Sequence, residues 1–496
     1  SVLSSAQMAS LTSDQLNNLA SEDLQVLSTT QLKALTSDQI SNLTSSQLNL
    51  LTTSQVRSLT TQQVAALTSE QLNGLASEDL QSLTSTQIRA LTSTQIANLA
   101  TDQLQTLLTS QIAALNTHQV NKLTTEGIAA LTTDQIKALT TAGLNQLSSD
   151  QLAAIETQDI AVMSTAQTSK LASAQLVKLS TDQIAALTTA QTQTLTTAQV
   201  AALTSDQLNA LESDDLQALS TSQIKALTTG QISTLSSSQV ALMESADVAV
   251  LSTSQVEKLS TEAISALTTD QARALSTAGL NVLTSSQLAA LSTDNMAALS
   301  TAQLSKLSTA QIAKLSTDQV VALTTAQTQA LSTAQVAALT SDQLNNMATD
   351  DLQALTTLQV KNLTTTQIST LTTGQLAAME TADIAALSSA QAAKLSTDAI
   401  AALTTDQITA LNTAALNALS SSQLAALETE DVAELTTAQL SKLSTTQIAK
   451  LSTDQLVALD TAQTQALTTA QVASLTSAQL NNMASEDLQA LSTAQV

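Results

Sequence analysis

The sequence predicts an all-α fold: a continuous, rod-like solenoid of very short capped helices, one per eight-residue repeat. Three observations carry that prediction. An aliphatic residue stands at every eighth position, a hydroxyl pair follows it, and a glutamine lies three residues beyond the first hydroxyl. From Leu3 to Leu491 all 62 positions of the first kind are large and aliphatic: Leu, or Ile155, or Met163, Met243, Met347, Met379 and Met483. Five residues further on, a second apolar site is Leu, Ile or Val in 54 of the 62 octads.

One octad shows the elements in order. Leu179–Ser180–Thr181–Asp182–Gln183–Ile184–Ala185–Ala186 is followed by Leu187, which opens the next. Ser180 is placed to cap the helix and Gln183 to stand at N3, the arrangement of a capping box. Leu179 and Ile184 then flank the first turn as a hydrophobic staple, and Leu179, Ile184 and Leu187 make the core. Thr181 is the second hydroxyl, a site that is Ser or Thr in all 62 octads. That regularity points to a further duty, such as bonding a neighbouring coil. Acids such as Asp14, Asp38 and Asp182 fall early in the octad, and lysines such as Lys122, Lys170, Lys178 and Lys306 fall late, as the helix dipole favours.

A single long helix does not fit, because eight residues at about 100° each leave the apolar stripe drifting by about 80° per octad. A sustained coiled coil needs a period near 3.5. A β-solenoid wants Gly, Asn or Pro at its corners, and the chain has no proline and only six glycines. An isolated eight-residue helix is unstable in water, so neighbouring octads must share a core, which is the logic of a solenoid. Handedness and the number of octads per coil do not follow from the sequence; three or four is a guess from a core one or two side chains wide.

In nine octads the glutamine site holds Asp (Asp23, Asp79, Asp159, Asp215, Asp247, Asp351, Asp383, Asp431 and Asp487), and there the capping site is Ala or Glu. The coupling predicts a cap moved one residue on, to the second hydroxyl, with Asp at N2. Four second-site threonines, Thr168, Thr192, Thr328 and Thr464, are expected to satisfy their hydroxyls within a helix turn.

The chain reads as one uninterrupted solenoid over 1–496 without linkers. A 136-residue repeat of 17 octads lies over it, in blocks 52–187, 188–323 and 324–459 with partial blocks 1–51 and 460–496. Thr192, Thr328 and Thr464 keep that step, as do Lys170, Lys306 and Lys442. Duplication of a block accounts for it. The glutamine site becomes Gly or Ala in pairs, Gly127/Gly143, Ala263/Gly279 and Ala399/Ala415, which are either inherited with the duplicated block or positions for close contact with another coil or chain. Both chain ends fall inside a repeat, so the expectation is a segment of a longer chain or a mature chain with its ends missing, with any export signal outside it.

Composition narrows the function. Lys+Arg number 16 against 40 Asp+Glu, a formal charge of −24, and there is no aromatic residue and no cysteine. Nucleic-acid binding lacks both its basic footprint and its stacking platforms. Thiolate metal sites and disulfides are excluded, and no apolar run reaches membrane-spanning length. No cofactor is expected. The lone His118 reads as a solvated helix residue, and the acidic pairs, such as Glu78/Asp79 and Asp214/Asp215, as dipole-favouring helix starts with at most weak cation binding. Serines and threonines without a positioned base read as caps, so no enzyme is expected.

The unit Leu195–Thr196–Thr197–Ala198–Gln199–Val200–Ala201–Ala202 resembles the long tandem-repeat surface proteins of Gram-negative bacteria, of the adhesin or haem-utilisation/adhesion kind. The resemblance implies an exported, extended protein, at the cell surface or filamentous, and the expected role is a fibre, sheath or adhesin stalk, as in a biofilm. Self-association into filaments is expected from the solenoid itself, whose open apolar ends let subunits continue the coil or pack laterally. The alternative is an acidic scaffold that presents a repetitive surface to cations or a protein partner.

Overall fold

The computed structural model describes residues 3–496. Among them the chain forms 61 α-helices, from Ser5–Ser10 to Ser485–Ala490, each four to six residues long, and no strand. It divides into two compact units, Ser1–Asp247 and Val248–Val496.

Each helix is short because its own octad both starts and ends it. Thr196 (φ −71°, ψ 156°) caps in an extended conformation, and the preceding Leu195 (φ −58°, ψ 136°) is extended as well. These two residues make the corner between consecutive helices. The described residues contain no positive φ and no cis peptide, so the corner needs neither glycine nor proline. The closing turn is tightened by the next leucine, whose N–H reaches three residues back, as Leu187 does to the Ile184 carbonyl at 3.1 Å.

Helices pack on their third neighbours. In the first unit Thr181–Ala185 lies against Ser205–Ala210, and in the second Thr261–Ser265 lies against Ser285–Ala290 and Thr381–Ala385 against Thr405–Ala410. Side chains of one coil bond backbone 25 residues further along, as Asn73 Nδ2 does to Asn98 O, or 31 residues back, as Gln183 Nε2 does to Leu152 O. A turn therefore takes about 27 residues, between three and four octads, each coil using the one before it as its floor. Inside the coils the two aliphatic sites of each octad meet: Leu179 and Leu187 are 5% exposed and Ile184 is 0%.

Two expectations are corrected. In the Asp octads the cap does not move. Ala20, Ala76, Glu156, Glu212, Ala348, Glu380, Glu428 and Ala484 hold the N-cap position, the second hydroxyl stays at N1, and Asp stands at N3. The helix of Asp247 likewise begins at its second hydroxyl, Ser245. Packing of the two apolar sites fixes where each helix begins, and losing one capping bond does not displace it. Of the four core threonines, only Thr168 finds its carbonyl, Ser164 O at 3.3 Å. The hydroxyls of Thr192, Thr328 and Thr464 are wholly buried without a partner. Their sites are ones that hold Ile, Leu or Val in most octads, and an apolar pocket offers the hydroxyl no second acceptor.

Candidate functional site

The feature that recurs along both units is a glutamine stitch. Ser180 Oγ accepts the Gln183 N–H at 3.1 Å, and Gln183 Oε1 accepts the Ser180 N–H at 2.9 Å, closing the capping box. The other end of the same amide donates from Nε2 to Leu152 O at 2.8 Å and Ile155 O at 2.7 Å, in the coil before. One side chain thus satisfies an orphan donor at a helix start and, one turn away at a helix end, the Ile155 carbonyl together with the second lone pair of Leu152 O, which already takes the Ile155 N–H at 3.2 Å. The second unit repeats the pattern independently, with Gln319 Nε2 on Leu288 O at 2.9 Å and Leu291 O at 2.8 Å. Gln183 is 3% exposed, a buried amide with both ends bonded.

Variants of this site show what the position requires. Asn295 is one methylene shorter and keeps one stitch, Nδ2 to Leu267 O at 3.0 Å. Asp has no donor to give. Instead, Asp247 and Asp431 accept the N-cap N–H of Glu244 and Glu428 at 3.3 and 3.2 Å. Asp487 accepts the hydroxyl of Thr461, 26 residues earlier, at 3.1 Å, and Asp159, Asp215 and Asp383 are bonded in the same way by Thr133, Thr189 and Thr357. Those four threonines are second-hydroxyl residues, as are Ser149, whose Oγ accepts from Lys178 Nζ at 2.6 Å, and Ser389, whose hydroxyl donates to Ala414 O at 3.1 Å. Thr181 sits at the first helical position of its octad.

Burial pushes the carboxyls of Asp79, Asp159, Asp215, Asp247, Asp351 and Asp383 above their ordinary range, and nearby acids such as Glu156 and Glu244 push the same way. The exposed Glu126, Glu262 and Glu430 are held below theirs by their own backbone N–H and a neighbouring threonine hydroxyl.

The small residues at the glutamine site lie against aliphatic side chains of the coil before. A Cβ on Gly127 would stand 3.2 Å from Leu104 Cδ2, one on Gly143 3.2 Å from Val120 Cγ2, and one on Gly279 3.3 Å from Val256 Cγ2. Ala263, Ala399 and Ala415 are buried at the same site. Composition does not disclose a second relationship. Where the capping site is Ala76, Ala100 or Ala172, its N–H is taken by Asn49, Asn73 or Asn145 Oδ1, 27 residues earlier, at 3.2, 2.8 and 2.7 Å. The sequence carries that signal only once the turn length is known.

Four acidic pairs diverge rather than converge: Glu78, Asp214, Asp350 and Glu486 are exposed, while Asp79, Asp215, Asp351 and Asp487 turn inward; in a fifth, Glu22 and Asp23 are both exposed. Among the described residues no three His, Asp or Glu side chains gather as a metal site would require, and His118 is exposed on a separate helix. No helix of the described residues is long and apolar enough to cross a membrane.

No curated relative matches the chain. The family model of the ALTTAQ repeat matches residues 17–53, 73–141 and 152–485 when its overlapping repeats are taken together. The Ala–Leu–Thr–Thr–Ala–Gln run at 194–199 departs from that name only in Thr194, and 466–471 reads Ala–Leu–Thr–Thr–Ala–Gln throughout. With most of its length matched and its octads stitched by the glutamine of that motif, the chain belongs to the ALTTAQ repeat family.

Proposed function

We propose that this protein is structural and non-catalytic, a repeat that builds a fibre, sheath or adhesin stalk outside a bacterial cell and associates with itself. The observation that carries the reading is the stitch. Each buried glutamine binds its own helix to the coil before it, so the recurring polar chemistry of the interior is directed at cohesion between coils. Resemblance to bacterial surface repeats supports the location. Exposed hydroxyls and a net charge of −24 support a soluble, hydrated exterior.

Electron microscopy of the purified chain tests it. Uniform fibres or slender single particles are expected, and compact globules would overturn the reading. The excess of exposed acids favours one alternative, a scaffold that collects cations or a basic partner. That alternative requires calcium to raise the melting temperature and a chelator to reverse the change; indifference to both would remove it.

A further inference from the structure

The exposed charges are sorted by side within each turn. In the unit Val248–Val496 all eight basic residues are exposed: Lys258, Arg273, Lys306, Lys314, Lys361, Lys394, Lys442 and Lys450. Lys258 and Lys314 stand seven octads apart, as do Lys394 and Lys450, and the step from Lys306 to Lys361 falls one position short of that. With about 27 residues per turn, seven octads are two whole turns, so these side chains return to one side of the coil. The acids obey the same rule in the other half of the turn: Glu262 and Asp318, Asp342 and Asp398, and Asp398 and Asp454 are again seven octads apart.

Along the chain, Lys306 and Lys314 precede Asp318, Lys394 precedes Asp398 and Asp406, and Lys442 and Lys450 precede Asp454 and Asp460. Each such turn carries its cations in one half and its exposed acids in the other. Glu257, beside Lys258, and Arg273, beside Asp270, are the exposed exceptions. The 136-residue step from Lys306 to Lys442 and from Asp318 to Asp454 is five turns of about 27 residues, so block duplication preserves the sorting. Within Ser1–Asp247 the seven-octad spacing recurs on its own terms, from Lys33 to Arg89 and from Lys122 to Lys178. Little of this charge is neutralised locally. The ion pair Arg273–Asp270, at 3.4 Å, is an exposed pair within one helix, and Lys306, Lys314, Lys394, Lys442 and Lys450 pair with no acid of the described residues.

We propose that the basic side of the Val248–Val496 unit docks laterally on the acidic side of the same unit in a second copy. The proposal rests on the structural reading above and names the surface through which copies associate. The two patches differ, so the contact is heterologous: it leaves one free patch of each sign and propagates instead of closing. Complementary charge selects the partner and its register. At physiological salt the screening length is about 8 Å, so facing charges attract while the net charge of distant parts is damped.

The test compares the whole chain with a variant carrying Lys306→Glu, Lys314→Glu, Lys394→Glu, Lys442→Glu and Lys450→Glu, all exposed positions, with circular dichroism confirming the fold. Wild type is expected to self-associate in sedimentation velocity at physiological salt and to dissociate at about 1 M salt, where screening shortens to about 3 Å. The variant should associate at least about tenfold more weakly. Added to wild type it should shorten the assemblies, because its acidic side still docks but it offers no basic side for the next copy. A second variant with Asp318→Lys, Asp342→Lys, Asp398→Lys and Asp454→Lys should stay single alone and co-assemble with the first.

Association of the Lys→Glu variant equal to wild type overturns the inference, even if fibres form and the structural role stands. Wild type that remains single at every salt concentration also overturns it, while leaving a stalk role intact. Association that appears only with added calcium or a polycation assigns the acidic side to that ligand instead of to a second copy, and likewise overturns it.

Discussion

Gln183 Nε2 donates to the Ile155 carbonyl at 2.7 Å, across 28 residues of chain and one turn of the coil. The same amide accepts the Ser180 N–H through Oε1. Helix capping and coil stacking therefore share one side chain, its oxygen serving the cap and its nitrogen the coil before.

Replacing Gln183 tests that coupling. Gln183→Ala removes the capping acceptor and both stitches and is expected to cost about 2–4 kcal/mol, since each lost bond is worth about 1 and the buried Ile155 carbonyl is left unpaired, while Leu152 O keeps the Ile155 N–H. Gln183→Glu keeps an acceptor for Ser180 but loses both donors. Hydrogen exchange should then quicken at the amides around Leu152–Ile155 as well as at Ser180–Leu187 in the first variant, with the helix start less affected in the second.

Thr192→Val, Thr328→Val and Thr464→Val should each stabilise the chain by about 1 kcal/mol, because each replaces a buried hydroxyl without a partner by a methyl of similar size. Thr168→Val should gain less, its hydroxyl being bonded to Ser164 O. Denaturant unfolding of the four single variants gives the ranking.

The buried aspartates give stability a pH dependence of known sign. Asp159 and Asp383 titrate above the ordinary value of 3.8 in the folded chain, so the fold binds their protons more tightly than the unfolded chain does. Their contribution is present below 3.8 and is lost as pH rises through the raised folded value. Each also leaves one carboxylate oxygen buried without a partner. Asp159→Asn and Asp383→Asn together should raise the melting temperature at pH 7, with Asn donating as Asn295 does. The gain should shrink as pH falls toward 4. A pH-independent difference would contradict the assignment.

Ala172 has no capping side chain, and its N–H depends on Asn145 Oδ1 of the preceding coil. Ala172→Ser supplies an acceptor for the Gln175 N–H and should stabilise by about 1 kcal/mol. Asn145→Ala should destabilise by a similar amount, since it also loses the bond from Nδ2 to Lys170 O. Thermal melts of the two single variants and the double variant measure both effects and any compensation.

The sequence by itself determined the local structure. A hydroxyl and a glutamine three residues apart cap each helix start, and two aliphatic sites five residues apart set which face is buried and keep the start in place where the cap is missing; both act within one octad. It determined the need for stacking as well, because so short a helix is unstable alone. Only the tertiary structure decided the turn of about 27 residues, since that number follows from how Leu and Ile side chains of successive coils interlock and not from any one octad. With the turn came everything that links one coil to the next: the outer half of each glutamine's bonding, the threonine hydroxyls on Asp159 and Asp487, the asparagines that stand in for missing caps, and the side on which each lysine emerges. It also kept the caps of the Asp octads in place and left three core threonines unpaired, because shared core packing outweighs a single hydrogen bond.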